Sequence, residues 1–147
     1  MTQLDSLLIE RECVGLMTAY CTHLDAGDAD AFLDLFTDDL VWARTHPPGL
    51  EYRGRDAMRR YFDERPTLRR NYHLVLNPRV TVLGPDLAEG ACLLLVIDGP
   101  AGSGAIPAPM GGVSLLGEYR DIYVRVSEGW RIARRELSRL IDRKVPA

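Results

Sequence analysis

Apolar residues recur at helical spacing in the first part of the chain, at Ile9, Cys13, Leu16, Met17, Tyr20 and Leu24. This pattern predicts one amphipathic helix over about residues 5–26. Gly27 is its expected end, because glycine readily adopts the left-handed conformation that closes a helix. Asp28 can cap a second helix over residues 29–36. A third helix is predicted over about residues 55–65, where apolar and charged positions again alternate at helical spacing.

Strand patterns dominate the rest of the sequence. A short strand is predicted over residues 40–45, and longer ones over 72–76 and 79–83, 87–98, 113–126, and 130 to about 140. Asn77-Pro78 is expected to bend the segments on either side of it into one long, kinked strand. Strands that meander after a run of helices are typical of an α+β domain with helices packed on one curved antiparallel sheet. We predict a single domain of this kind over residues 1–147.

The strands are interrupted over residues 98–112 by a segment rich in glycine and proline: Gly99, Pro100, Gly102, Gly104, Pro107, Pro109, Gly111 and Gly112. A loop this long inside a compact domain is often functional. Its apolar residues, including Ile106 and Met110, suit a lid over an apolar pocket. A plain hairpin tip is the alternative. The glycine spacing is not that of a phosphate-binding loop.

Composition narrows the function classes. The 147 residues are 46% hydrophobic and 27% charged, with a net charge of −3, which argues against nucleic acid as the main partner. No apolar run approaches the roughly 20 residues that cross a bilayer, and the first residues lack the basic region of a secretory signal. The three cysteines fit no metal spacing and are expected to be small buried residues in a reducing cytoplasm. We therefore expect a cytoplasmic protein without a metal or cofactor.

Three side chains carry the candidate chemistry: the phenol of Tyr20, the carboxylate of Asp25 and the imidazole of His73. His73 is the best candidate base, because an imidazole can take and return a proton near neutral pH. Asp25 can fix the tautomer of the imidazole and stabilise its cation. It falls in the last turn of a helix, where the dipole disfavours an anion. Either another group holds Asp25, or it is a solvated acid beside Asp28 and Asp30.

Five stretches, in chain order, resemble the SnoaL-like, scytalone dehydratase-like branch of the superfamily that includes ketosteroid isomerase. They are residues 20–28 (YCTHLDAGD), 35–39 (LFTDD) leading to Trp42, 54–58 (GRDAM), Tyr72-His73 and 129–132 (GWRI). The resemblance covers nearly the whole chain and implies a cone-shaped α+β barrel. The family includes scytalone dehydratase, lindane dehydrochlorinase, bile acid 7α-dehydratase, polyketide cyclases and small subunits of ring-hydroxylating dioxygenases.

The resemblance also implies roles for the three candidates. In the eliminating members, an aspartate at the end of the first helix pairs with a histidine at the start of the strand after the third helix. Asp25 and His73 occupy those places in this sequence. Tyr20 matches a tyrosine that precedes the aspartate in the bile acid enzyme.

Further pocket residues follow from the same resemblance. Trp42 resembles a pocket-wall tryptophan of the dehydrochlorinase. Arg135 matches a pocket arginine of that enzyme, with Arg134 as the alternative, since strand alternation sends only one of the two inward. Asp98 lies where scytalone dehydratase has a second pocket histidine, and this difference argues against that substrate. Apart from the resemblance, Tyr119 and Asp121 share one strand face and are further candidates for the pocket wall, with the opposite face of that strand as the alternative.

Together these features predict a cofactor-independent lyase or isomerase acting on a small hydrophobic cyclic substrate, with dehydratase-like elimination favoured. His73 would remove a proton and Asp25 would orient the ring. Tyr20 or an arginine of the last strand would donate a hydrogen bond where negative charge develops. Two alternatives stay open: a non-catalytic binder of small ligands, and a structural small subunit of a ring-hydroxylating dioxygenase.

The predicted sheet carries apolar residues on what is expected to be its outer face, among them Leu93, Leu95, Leu116 and Ile122. An open curved sheet with such a face usually packs against a partner. Eliminating relatives tend to be trimers and isomerase relatives dimers. We therefore expect a homo-oligomer, with a trimer favoured and a dimer possible.

Overall fold

Three helices and six strands make up the computed structural model, which describes residues 1–65, 69–100 and 106–143. The helices are α1 (Gln3–Ala26), α2 (Ala29–Leu33) and α3 (Gly54–Asp63). The strands are β1 (Phe36–His46), β2 (Leu50–Arg53), β3 (Arg69–Gly84), β4 (Leu87–Pro100), β5 (Gly112–Val126) and β6 (Gly129–Asp142).

The six strands form one curved, unclosed sheet in the order β2-β1-β6-β5-β4-β3, with the N-terminal helices packed on it. This confirms the predicted α+β class and its helix-covered curved sheet. One feature differs from the prediction of an antiparallel sheet, because β1 and β6 run parallel while every other neighbouring pair is antiparallel.

The ends of α1 follow from local hydrogen bonding. Thr2 and Asp5 form a capping box, in which the Asp5 N–H donates to Thr2 Oγ1 (3.2 Å) and the Thr2 N–H donates to Asp5 Oδ2 (2.7 Å). At the other end Gly27 adopts φ 73°, as predicted, and its N–H donates to carbonyls of the last turn. Asp28 caps α2 by accepting from the Ala31 N–H (3.1 Å).

The second helix and the first strand differ from expectation. Helix α2 ends at Leu33 rather than 36, because Phe36 already belongs to β1 and pairs with Ile132. The Ile132 N–H also donates to the Leu35 carbonyl at 2.8 Å. Strand β1 is therefore longer than the predicted 40–45. The short strand β2, which pairs with β1, was not predicted.

The predicted bend in the long third strand is confirmed. Asn77 has φ 51°, and the pairing of β3 with β4 shifts register between Leu76 and Arg79. An extra residue of this kind bends a strand and leaves one residue without a ladder partner. Helix α3 ends at Asp63, two residues earlier than predicted. Strands β4, β5 and β6 lie within a few residues of their predicted bounds.

The core lies between the helices and the concave face of the sheet, with α1 packed against β3, β4 and β6. The three cysteines are buried there. Burial raises the pKa of the Cys13 and Cys21 thiols to about 12 and that of Cys92 to about 11. They are thus protonated at neutral pH and pack as small apolar side chains. None of the described helices is long and apolar enough to cross a membrane.

The convex face of the sheet carries the apolar residues that were predicted for the outer face of the sheet. Leu93, Leu95, Leu116 and Ile122 are half-buried, and Leu74 and Leu76 of β3 are 38% exposed. The helices pack on the opposite face, so this outer surface is left to solvent or to a partner.

Gly90 lets α1 approach the sheet closely. A β-carbon there would lie 2.8 Å from Met17 Cε, 2.9 Å from Tyr123 Cε2 and 3.1 Å from the Arg79 carbonyl oxygen. Contacts this short force neighbouring side chains or backbone to move. By contrast, a β-carbon at Gly15, in the middle of α1, would meet nothing within 4 Å.

We predict opposite effects of alanine at these two glycines. Gly90→Ala should lower the free energy of unfolding by about 1–3 kcal/mol through overpacking. Gly15→Ala should raise it by about 0.5–1 kcal/mol, because alanine loses less conformational entropy in a helix. Urea denaturation of the two variants and the parent measures both. Equal stability of Gly90→Ala and the parent would contradict the close approach.

Candidate active site

The end of α1 and the edge strand β3 meet through Asp25 and His73. Asp25 Oδ1 lies 2.5 Å from His73 Nδ1, and Asp25 Oδ2 accepts from the His73 backbone N–H at 2.8 Å. Both side chains are largely buried, with 11% of His73 and 16% of Asp25 exposed. The contact predicted for this pair is therefore present. The alternative, a solvated acid in an acidic turn, does not describe Asp25.

Strand position explains the double hydrogen bond. Strand β3 is at the edge of the sheet and pairs only with β4 among the described strands. A donor on an edge strand needs a partner outside the sheet when it is shielded from water. Asp25 supplies that partner for the His73 N–H, and it also offsets the unfavourable position of an anion in the last turn of α1.

His73 borders a partly open cavity of about 180 Å³. Apolar side chains form most of its wall, and a few polar ones from α3 and four strands complete it. The lining residues are Leu24, Trp42, Arg44, Leu50, Tyr61, His73, Leu94, Leu115, Tyr119, Leu137 and Arg139. Three of the predicted site residues, His73, Trp42 and Tyr119, thus face one space.

Asp25 borders a different space from His73. It lines an outer groove of about 480 Å³ that also includes Ile106. The paired side chains therefore do not line the same space, because Asp25 contacts the Nδ1 side of the ring and the groove gives solvent a path to the carboxylate. Ile106 and Met110, 89% and 81% exposed, do not line the cavity that they were expected to cover. Residues 101–105 of the expected lid lie outside the described residues.

A buried arginine lies beneath the cavity. Arg135 is 1% exposed and binds Asp121 in a bidentate pair, through Nε (2.7 Å) and Nη2 (2.6 Å). Tyr123 donates a further hydrogen bond to Asp121 at 2.5 Å. Burial alone would lower the pKa of Arg135, but the charge and hydrogen bonds of Asp121 outweigh it and raise that pKa well above its usual value. Arg135 is thus the inward arginine, while Arg134 lies on the other face with Glu136.

Arg135 is held between two aromatic rings. Its guanidinium carbon lies 4.1 Å from the ring centre of Tyr20 and 4.2 Å from that of Tyr119. Such cation–π contacts are strongest where water is excluded. Arg135 is absent from the cavity lining, so it acts on that space through Tyr119, which lines it.

Tyr20 supports the cavity wall from behind. It is fully buried, does not line the cavity, and accepts a hydrogen bond from the Trp42 Nε1–H at 3.2 Å. Trp42 in turn stacks on Tyr61 with ring centres 5.5 Å apart. Tyr20 therefore fixes the orientation of a lining side chain.

The phenols of this region are neutral at physiological pH. Burial raises the pKa of Tyr119 well above 10, and the nearby Arg135 charge opposes that rise without reversing it. Burial likewise raises the pKa values of Tyr20 and Tyr61. A neutral phenol donates a hydrogen bond, and at neutral pH it is too weakly basic to remove a proton from carbon. The Tyr119 phenol also forms a side-chain hydrogen bond with Tyr20. An imidazole can accept a proton near neutral pH, and His73 is the imidazole that lines the cavity.

Asp98 is not brought to the cavity. It lies near the end of β4, where its carboxylate accepts from Arg143 Nη1 (3.1 and 3.3 Å) and its carbonyl accepts from the Gly111 N–H (2.7 Å). These contacts fasten the returning end of the loop between β4 and β5. Asp98 thus has a structural role in the described contacts, instead of the pocket position that the resemblance implied.

Two cavity residues, Arg44 and Arg139, were missed by the sequence analysis. Both lie on the concave face, in the neighbouring strands β1 and β6. The signal was available for Arg44, since strand alternation places it on the same face as Trp42. Within the described part of the chain, no group of three histidine, cysteine or acidic side chains could hold a metal ion.

Comparison with known families agrees with this architecture. The sequence profile of the SnoaL-like domain matches residues 5–136. The chain belongs to the SnoaL-like domain family. No curated protein sequence matches this SnoaL-like chain significantly.

Solved structures share the fold over nearly the full length of the SnoaL-like chain. A candidate scytalone dehydratase from Novosphingobium aromaticivorans is 26% identical, with a TM-score of 0.82 over 99% of this chain and 95% of that one. A variant of Rv3472, a Mycobacterium tuberculosis protein of unknown function, is 28% identical, with a TM-score of 0.76 over 95% and 76%. A hexachlorocyclohexane dehydrochlorinase is 14% identical, with a TM-score of 0.78 over 99% and 95%, which shows the fold alone.

We predict that Asp121→Asn is strongly destabilising. Asparagine keeps the shape but removes the charge that neutralises buried Arg135, and such losses cost about 3–5 kcal/mol. The matched control is Glu136→Gln, which removes the carboxylate from the partly exposed pair with Arg134 and should cost less than about 1 kcal/mol. Urea denaturation of both variants provides the comparison. Similar losses for the two would mean that burial of the Arg135 pair has no special energetic weight.

Proposed function

We propose that this protein is a cofactor-independent lyase or isomerase that moves a proton on a small ring-containing substrate. The observation that carries the proposal is the Asp25–His73 pair, in which the ring of His73 borders an apolar cavity. Dehydratase-like elimination is the favoured reaction. The family assignment and the similarity to a candidate scytalone dehydratase support this choice.

The contact between Asp25 and His73 favours the tautomer of His73 that the proposed reaction needs. An ionised carboxylate only accepts hydrogen bonds, so Asp25 favours the His73 tautomer that carries its proton on Nδ1. Nε2 then has a free lone pair to remove a proton from carbon. The negative charge of Asp25 stabilises the imidazolium that forms. The same Nε2–H returns the proton to a leaving hydroxyl, or to another carbon in an isomerisation.

The cavity offers a hydrogen-bond donor for the charge that develops on the substrate. Tyr119 lines the same space as His73, and its neutral phenol is backed by the guanidinium of Arg135. A fixed donor in a water-poor site stabilises developing negative charge better than water does. Tyr20 acts as a positioning residue through Trp42. Its fully buried hydroxyl has no place at the reacting atoms in this proposal.

The volume of the cavity indicates the size of the ring that it can hold. A cavity of about 150 Å³ accommodates benzene, so the roughly 180 Å³ beside His73 fits one six-membered ring with small substituents. The space opens toward solvent on one side, so substituents or a fused second ring can extend out of it.

A general base in the cavity can be tested without knowing the natural substrate. The probe is 5-nitrobenzisoxazole, whose ring opens to a coloured phenolate when one carbon-bound proton is removed. We predict saturable turnover, with His73→Asn lowering the rate by about a hundredfold, the lower end of what a positioned acid–base group contributes. His23→Asn is the matched control, because His23 lies in the same protein outside the cavity lining.

The Asp25→Asn variant tests the role of the second partner. An asparagine amide facing Nδ1 donates a hydrogen bond, so His73 should switch to the Nε2–H tautomer and lose its free lone pair on the cavity side. We expect a lower rate together with exchanged ¹⁵N shifts of Nδ1 and Nε2. A rate in His73→Asn equal to the parent rate would overturn the proposal and favour a non-catalytic ligand binder.

We also propose that the chain self-associates through the convex face, with a trimer favoured over a dimer. The support is the row of apolar side chains there, which includes Leu74, Leu76, Leu93 and Leu95. Replacing Leu74 and Leu93 with aspartate should dissociate the assembly, because each buried charge in an apolar interface is costly. Light scattering at micromolar concentration measures the mass. A monomeric parent protein would contradict this proposal.

A further inference from the structure

The cavity that His73 borders also holds two arginines, Arg44 of β1 and Arg139 of β6. Arg44 is paired in register with Leu137, and Arg139 is two residues further along the same strand face. Strand alternation therefore places both arginines on the concave side, next to each other across the parallel β1–β6 pair. Neither is needed for the proton transfer proposed above.

The positive charge of this arginine pair is only partly neutralised. Arg139 Nη2 lies 2.7 Å from Asp142 Oδ2. Arg44 makes no ion pair among the described residues, and its Nε donates to the Pro47 carbonyl at 2.8 Å. Within the described part of the chain, one of the two guanidinium groups therefore has an ion-pair partner and the other has none.

One donor of the pair is also left without a partner. Arg139 Nε is buried and finds no hydrogen-bond acceptor in the described part of the chain. A buried N–H without an acceptor is unfavourable, so the guanidinium of Arg139 is only partly satisfied by the protein. Guanidinium groups match carboxylates in shape and charge, because two parallel N–H donors meet two oxygens.

We propose that the ligand of this cavity is a single-ring carboxylic acid whose carboxylate binds between Arg44 and Arg139. Its ring packs against the apolar lining, which includes Trp42 and Leu115. The proposal deepens the proposed function by naming the substrate class, and it rests on that function for the chemistry. The volume of about 180 Å³ matches a ligand body of one six-membered ring.

The test measures binding without turnover, in the His73→Asn background, so that neither catalysis nor a histidine cation contributes. The probes are benzoate and its neutral isostere benzamide, titrated by isothermal calorimetry and by the fluorescence of Trp42. We expect benzoate to bind at least tenfold more tightly than benzamide. Added sodium chloride should weaken benzoate binding more than benzamide binding.

Three further variants assign the anion site. Arg44→Gln and Arg139→Gln should each lower benzoate affinity about tenfold and leave benzamide affinity unchanged. Arg44→Lys should recover part of the loss, because it restores the charge without the planar fork. Arg134→Gln, on the opposite face of β6 beside Glu136, should bind both probes as the parent does. Circular dichroism of each variant checks that it is folded.

Equal affinity for the two probes, or binding of neither at millimolar concentration, would overturn the proposal. So would unchanged benzoate binding in both Arg44→Gln and Arg139→Gln, or loss of benzoate binding on the His73 substitution alone. These outcomes differ from the outcome that would overturn the proposed function. A protein that binds benzoate through the arginines but opens 5-nitrobenzisoxazole no faster than its His73→Asn variant would keep the ligand class and lose the chemistry.

Discussion

The buried pair of Arg135 and Asp121 is the interaction on which the arrangement of the cavity depends. A guanidinium group with no exposed surface is tolerable only beside a carboxylate, and Asp121 provides it with two hydrogen bonds. The neutralised ion then packs against the faces of the Tyr20 and Tyr119 rings. One ring holds Trp42 in place and the other lines the cavity. A single polar cluster in the core thereby orients two walls of an apolar space.

The Asp25–His73 pair joins the helical layer to the sheet at its edge. Its two hydrogen bonds tie the last turn of α1 to β3 through the backbone as well as the ring. Because one oxygen of Asp25 is engaged by the His73 N–H, the carboxylate has little freedom to rotate away from Nδ1. The imidazole is therefore pre-organised before a ligand arrives. Under the proposed function, such pre-organisation would lower the cost of reaching the reactive geometry.

Local rules predicted most of the elements, while long-range pairing did not follow from them. The caps of α1 and α2 and the bend at Asn77-Pro78 depend on residues within a few positions of each other. The early end of α2 depends instead on Phe36 pairing with Ile132, almost a hundred residues away. The Asp25–His73 contact was likewise expected from a family resemblance, since no spacing rule relates a helix end to a distant edge strand.

The choice between Arg134 and Arg135 likewise depends on strand pairing that a local sequence rule does not predict. Ile132 faces the core, so strict alternation would send Arg134 inward with it. The pairing of β5 with β6 shifts register between Ile122 and Tyr123, so that Asp121 pairs with Arg135 and Tyr123 with Ile132. This irregularity reverses the alternation and turns Arg135 into the core.

The cavity combines three kinds of lining side chain: apolar ones, groups that can exchange a proton, and positively charged ones. Its wall is mostly apolar, and His73 and Tyr119 place an imidazole and a phenol in that wall. Arg44 and Arg139 add two guanidinium groups. The carboxylate of Asp25 contacts Nδ1 from the outer groove and does not line the cavity, so it lies behind the ring as seen from the two arginines. Under the two proposals, this placement would let the site attract an anionic ligand while the Nε2 side of His73 stays free to accept a proton.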